Sequence, residues 1–196
     1  MSEQALPRAE PFAAAKPNGW WGTIVFVATE LTLFGSLFGT YFYLRFRSAE
    51  WPPLGIKPPS ATVPLVLAGV LVATSLPLLA ASIAAGRGRV RPAFGLVFLA
   101  LFVHAGYFAM QVHLFQEDLA SFGPRGSAYG SIYFTLLGTH HAHVVVGMLL
   151  ELWLLVRLLS GLTRYRRVAL RSIALYWYFV NAVALLVVGA QLSASV

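Results

Sequence analysis

Five apolar runs dominate this chain, at about residues 21–44, 62–85, 93–115, 130–157 and 171–193. Each reaches or approaches the roughly 20 residues that cross about 30 Å of hydrocarbon as a helix. Lipid offers no partners to backbone N–H and C=O groups, so a spanning segment must satisfy them within itself or in a closed barrel. The runs are continuous rather than alternating, which argues against barrel strands. The pattern predicts an all-α polytopic membrane protein, a bundle of five transmembrane helices forming a single membrane domain over residues 20–196. Charged residues make up 11% of the 196, against about 25% in soluble domains, and mean hydropathy is +0.73. Both values fit lipid as a second solvent.

The breaks between runs are chemically distinct. Arg45 to Ser60 contains WPPLGIKPP, where proline removes donors and disfavours helix; GRGRVRP at 86–92 is a short basic turn. Gln116 to Tyr129 is polar and holds Gly123-Pro124, and Ser160 to Arg171 is basic. Residues 1–19 mix Pro, Ala and charges and are read as a flexible cytoplasmic segment, with no pattern of a cleaved signal peptide.

With five spans, the N-terminus and the second and fourth loops share a side. That side carries ten Lys and Arg residues and the other carries four, which puts the N-terminus inside and the C-terminus outside. The net charge of +7 therefore serves orientation rather than nucleic acid. The absence of cysteine removes disulfides, iron–sulfur clusters and thiolate metal sites.

One acid interrupts the first run. Glu30 lies about ten residues from the start of its helix, roughly 15 Å deep, where a lone carboxylate would be costly. It should be neutral, paired, or both. The fourth run enters from the opposite side and carries GTHHAHVVVG, residues 138–147. Counting inward from about residue 130 puts His140 and His143 at roughly 15–20 Å, a similar depth. The spacing of three predicts a shared face, and Glu30 is expected to meet His140 or His143 inside the bundle. A hydrogen-bonded brace is one use of such a cluster. A His-x-x-His metal site is another, but the motif alone is weak, no second carboxylate–histidine set accompanies it, and no metal is expected. A proton relay through a small channel or transporter is a third use.

His104 and His113 lie nine apart on the third run and are read as sharing one face, with helix contacts as their role. Glu151 is assigned to a partner or the headgroup zone rather than to a pocket. The other face of the first run carries Gly35-x-x-x-Gly39, a spacing that allows close helix packing. No catalytic residues are recognisable: the chain offers no phosphate loop and no nucleophile–base pair.

The segments WGTIVFVATELTLFGSLFGTYFYL (21–44), WPPLGI (51–56), YGSIYFTLLGTHHAHVVVG (129–147) and YWYFVNAVALL (176–186) resemble the haem–copper oxidase subunit III family, in that family's order and spacing. The resemblance covers about residues 20 to 190 and is closest to a short, five-helix form of cytochrome c oxidase subunit III, without the first two helices of the long form. It implies an accessory subunit without redox chemistry, with haem and copper in partner subunits. Such a subunit packs on subunit I, beside subunit II and others of the complex. It binds phospholipid, supports proton uptake and protects the active site during turnover of a proton-pumping oxidase in a bacterial-type plasma membrane. Glu30 falls on the family's membrane-embedded glutamate, His140 and His143 on its G-x-H-x-x-H-V histidines, and Arg157 on an arginine that contacts lipid phosphate. Arg157 is equally readable as a positive-inside anchor. Tyr178 and Asn181 replace the His and Asp of the family's YWHFVD, and Leu114 replaces a glutamate. A quinol oxidase subunit III and the accessory protein of nitric oxide reductase are the neighbouring alternatives.

Overall fold

The computed structural model describes residues 17–57 and 62–193. Among these the chain forms six helices and no strand: α1 (Asn18–Arg47), α2 (Thr62–Ala73), α3 (Ser75–Gly86), α4 (Val90–Ser121), α5 (Ala128–Leu158) and α6 (Arg164–Leu192). They make five segments long and apolar enough to cross a membrane, because α2 and α3 together form one. The segment 1–19 falls largely outside the described residues.

Local chemistry sets the ends. Ser127 and Thr163 cap α5 and α6, each side-chain oxygen accepting from the backbone N–H three residues on, Gly130 and Arg166; a cap satisfies a donor that the first helical turn leaves without a partner. Gly88 at φ +74 follows α3 and Gly161 at φ +90 follows α5, the left-handed backbone that glycine adopts without a Cβ clash. Two helices run past the hydrophobic limits read from sequence. α4 continues through polar residues to Ser121, and α6 starts at Arg164 rather than near 171 because Thr163 caps a basic first turn.

The second span is broken, a feature the apolar run conceals. Pro77 has no N–H to give the carbonyl of residue 73, and its ring crowds that carbonyl. The helix stops at Ala73 and restarts at Ser75. The break turns two hydroxyls toward the other helices: Thr74 meets His104, and Ser75 accepts from Asn181 Nδ2 at 2.9 Å.

α6 is the centre of the bundle. It packs against α1, α2, α3 and α5, and 67% of its apolar window is buried, against 6% for α1. α1 touches α5 and α6 through Phe34 and Tyr41. Gly35 and Gly39, read as a close-packing seam, face away from the chain: both are exposed, and a Cβ on either would meet nothing within 4 Å. They lie on the face of α1 opposite its two neighbours, so they pack no helix among the described residues.

Gly147 performs the close approach instead. A Cβ there would lie 2.6 Å from Cζ2 of Trp177, a ring itself stacked on His104 with centroids 3.5 Å apart and planes 11° off parallel. Neither ring has room to retreat. The loop motif WPPLGI closes one end: Trp51 Nε1 donates to Tyr41 OH at 3.1 Å, Tyr41 donates to the Ala190 carbonyl at 2.7 Å, and the Trp51 ring sets its edge against Tyr129. The Gly147→Ala variant is expected to lose about 1–3 kcal/mol through overpacking, seen as a lower denaturation midpoint in detergent, while Gly35→Ala leaves that midpoint unchanged.

Candidate functional site: two acid–imidazole pairs in the bundle

α5 carries the polar groups that hold the bundle together. At the α1–α5 seam, Glu30 Oε2 lies 2.9 Å from His143 Nε2. The other ring nitrogen, Nδ1, is 2.7 Å from the Thr139 carbonyl, which can only accept, so Nδ1 carries a proton. One further proton therefore bridges the carboxyl and Nε2. Phe34 sets its ring edge-on to His143 at 5.0 Å, and Tyr176 donates to the His143 carbonyl at 2.8 Å. The side chains of His143 and Glu30 remain 14% and 18% exposed. The pair lies at the flank of the bundle, opening on the membrane side, rather than in its interior.

His140 goes elsewhere. It is 1% exposed, and its Nε2 lies 3.2 Å from Tyr107 OH, which accepts from Gln111 Nε2 at 2.9 Å. Three helical residues turn through about 300°, and the remaining offset of about 60° is enough to send His143 to α1 and His140 to α4. His141, beside them, is buried against Phe108 and Phe115.

A second acid–imidazole pair, unread in the sequence, lies deeper. Glu151 is 0% exposed, and its Oε2 is 2.9 Å from Nδ1 of His104, also 0% exposed. The expectation that it faces a partner or the headgroup zone is overturned: its carboxyl is enclosed within this chain. His104 Nε2 lies 2.8 Å from Thr74 Oγ1, and Thr74 donates its own proton to the Leu71 carbonyl. Nε2 must therefore donate, and here too one proton bridges carboxyl and imidazole. The second carboxyl oxygen of Glu151 has no hydrogen-bond partner among the described residues. A periodic signal was present: His140, Val144, Gly147 and Glu151 recur at 4, 3 and 4 along α5, and all four are buried. His113 does not share the face of His104. Nine residues turn about 900°, which is two and a half turns, and His113 is exposed, 3.4 Å from Glu117.

Arg157 is exposed, four residues after Trp153 and seven after Leu150 on the same stripe of α5. Leu150 and Trp153 line a groove of about 370 Å³ with Gly22 and Phe26 of α1 and Val168 and Tyr176 of α6. The groove is mostly apolar, and Arg157 is not among the residues that line it. The same Tyr176 anchors the His143 backbone, so the groove leads to the Glu30 pair.

A bundle of five helices long and apolar enough to cross a membrane, with acids paired across them, defines a polytopic integral membrane protein. The model of the family described as cytochrome c oxidase subunit III matches residues 12–190, and the chain belongs to that family. It is thus a haem–copper oxidase subunit III, part of an enzyme complex. It is 33% identical over 173 residues to the probable cytochrome c oxidase subunit 3 of Nocardia farcinica, covering 83% of this chain and 81% of that one. The corresponding protein of Mycobacterium bovis is 34% identical over the same shares. The cytochrome bo(3) ubiquinol oxidase subunit 3 of Pseudomonas aeruginosa is 29% identical over 84% of this chain and 78% of its own.

Glu30→Ala leaves the His143 ring without its partner. The expected cost is about 1–3 kcal/mol for an unsatisfied buried group, read as a lower thermal midpoint and shorter turnover lifetime of the complex; wild-type values for both contradict the pairing.

Proposed function

We propose that this chain is the non-redox accessory subunit of a proton-pumping cytochrome c oxidase. It stabilises subunit I, sits in a complex with subunit II, binds phospholipid and supports proton uptake from the inner side during oxygen reduction. The observation that carries the reading is the family match over residues 12–190, joined to the Glu30–His143 pair near an apolar groove. Haem and copper belong to partner subunits. Both ring nitrogens of His104 and of His143 are already engaged within this chain, which supports that assignment. The outward face of α1 bearing Gly35 and Gly39 is proposed as a contact with subunit I, and Arg157 as the phosphate ligand. The basic side faces the cytoplasm of a bacterial-type plasma membrane, with the N-terminus inside.

A quinol oxidase subunit III is the second reading, favoured by the resemblance to the Pseudomonas protein. An accessory protein of nitric oxide reductase is the third reading. A channel is disfavoured: on α4 the positions following His104 toward its N-terminus are Ala100, Val97 and Ala93, each 0% exposed and apolar, so α4 does not extend a polar file from His104 in that direction.

Purified complex with this chain should oxidise reduced cytochrome c and not quinol. Complex assembled without it should start at a similar rate but inactivate within fewer turnovers, and the loss should be smaller when phospholipid is added back. Quinol oxidation with no response to cytochrome c would move the protein to the second reading. Identical lifetimes with and without the chain would contradict the protective role.

A further inference from the structure

We infer a binding site for one water molecule in the core of the bundle, held between the carboxyl group of Glu151 on α5 and the indole N–H of Trp177 on α6. Both residues are 0% exposed. Glu151 gives Oε2 to His104. Its Oε1 and the Nε1 of Trp177 are both without a hydrogen-bond partner among the described residues. Buried polar atoms in that condition are uncommon, and a buried indole N–H usually finds an acceptor.

Three contacts bring the two atoms to one place. The carboxyl meets the edge of His104, 2.9 Å from Nδ1. The indole lies flat on the face of the same ring, with centroids 3.5 Å apart. Trp177 Cε2, the carbon that bears Nε1, is 2.8 Å from the point that a Cβ on Gly147 would occupy. Nε1, one bond further on, therefore lies beside the turn of α5 at Gly147. Glu151 stands four residues along the same helix. Side chains at that spacing are neighbours, with Cβ atoms about 5–6 Å apart, and each leans toward the N-terminus of its helix. The carboxyl of Glu151 thus leans over Gly147, which has no side chain to hold it off. Nε1 and Oε1 share this pocket yet make no direct bond, the relation that a single bridging water satisfies.

The chemistry selects water. An indole N–H can only donate, and a carboxyl oxygen whose group shares its proton through the other oxygen can only accept. Water accepts from Nε1 and donates to Oε1, which gives it the two polar partners that a buried water needs. A metal cation could not accept from the N–H, and an anion would meet the charge of the carboxyl. The water adds a hydrogen bond from the central helix, α6, to the Glu151–His104–Thr74 unit, which Trp177 otherwise meets by stacking.

Purified complex is imaged by electron cryomicroscopy at a resolution that shows ordered water, as wild type and with Trp177→Phe, which keeps a ring on His104 and removes the donor. In the wild type, one density should lie within hydrogen-bonding distance of both Nε1 and Oε1, about 2.5–3.2 Å. It should be lost in Trp177→Phe while the Glu151–His104 contact persists. A direct bond from Nε1 to Oε1 overturns the site, as do both atoms resolved with no density between them, or a density that stays unchanged without the indole N–H. Should Trp177→Phe fail to assemble, the wild-type map decides alone. None of these outcomes bears on the accessory role, which rests on the turnover lifetime.

Discussion

A hydrocarbon solvent cannot share a proton, and the rest of this structure follows from that restriction. Each acid placed within the bundle must find its partner on another helix, and in both cases the partner is an imidazole. Glu30 ties α1 to α5 through His143, and Glu151 ties α5 to α4 through His104. A contact of this kind joins two spans at one depth and one rotation. An apolar seam, which lipid tails solvate about as well as another helix does, would leave both less defined.

The deeper pair recruits further elements. Its imidazole needs an acceptor at Nε2, and the break at Pro77 turns Thr74 toward it. Its flat face is covered by Trp177, whose ring requires a glycine at 147. Four positions on three helices, and Thr74 at the helix break, thus depend on one another. The flank pair is more open, near the apolar groove lined by Phe26 and Tyr176. The two pairs share a chemistry and differ in access: one is sealed as a brace, while the other is partly exposed at the flank.

The sequence was most informative where a single constraint dominates. Span number followed from hydrophobic length, because lipid thickness sets it. The meeting of Glu30 with His143 followed from depth counting, because antiparallel helices of known rise bring equal depths together. Rotation was less legible. Whether His140 or His143 turned to α1 depended on an offset of about 60°, and nothing in a lone helix fixes its rotation. Glu151 was misplaced because it was judged by its nearness to the cytoplasmic end, although it shares the buried stripe of His140 and Gly147. The glycines at 35 and 39 have the spacing of a packing motif, yet spacing alone does not say which face of α1 meets the bundle. The break at Pro77 lay hidden in an uninterrupted apolar run whose proline could equally have produced a gentle bend.

The central claim is that an acid and an imidazole on different helices act as one unit. A double-mutant cycle tests it directly, with Glu151→Leu, His104→Leu and the combined variant compared by thermal denaturation of the assembled complex. Each single replacement should cost about 1–3 kcal/mol by stranding its partner, and the double should cost clearly less than their sum, with a coupling of about 1 kcal/mol or more. Strictly additive losses would mean that the two side chains do not depend on each other, and the account of the bundle would fail.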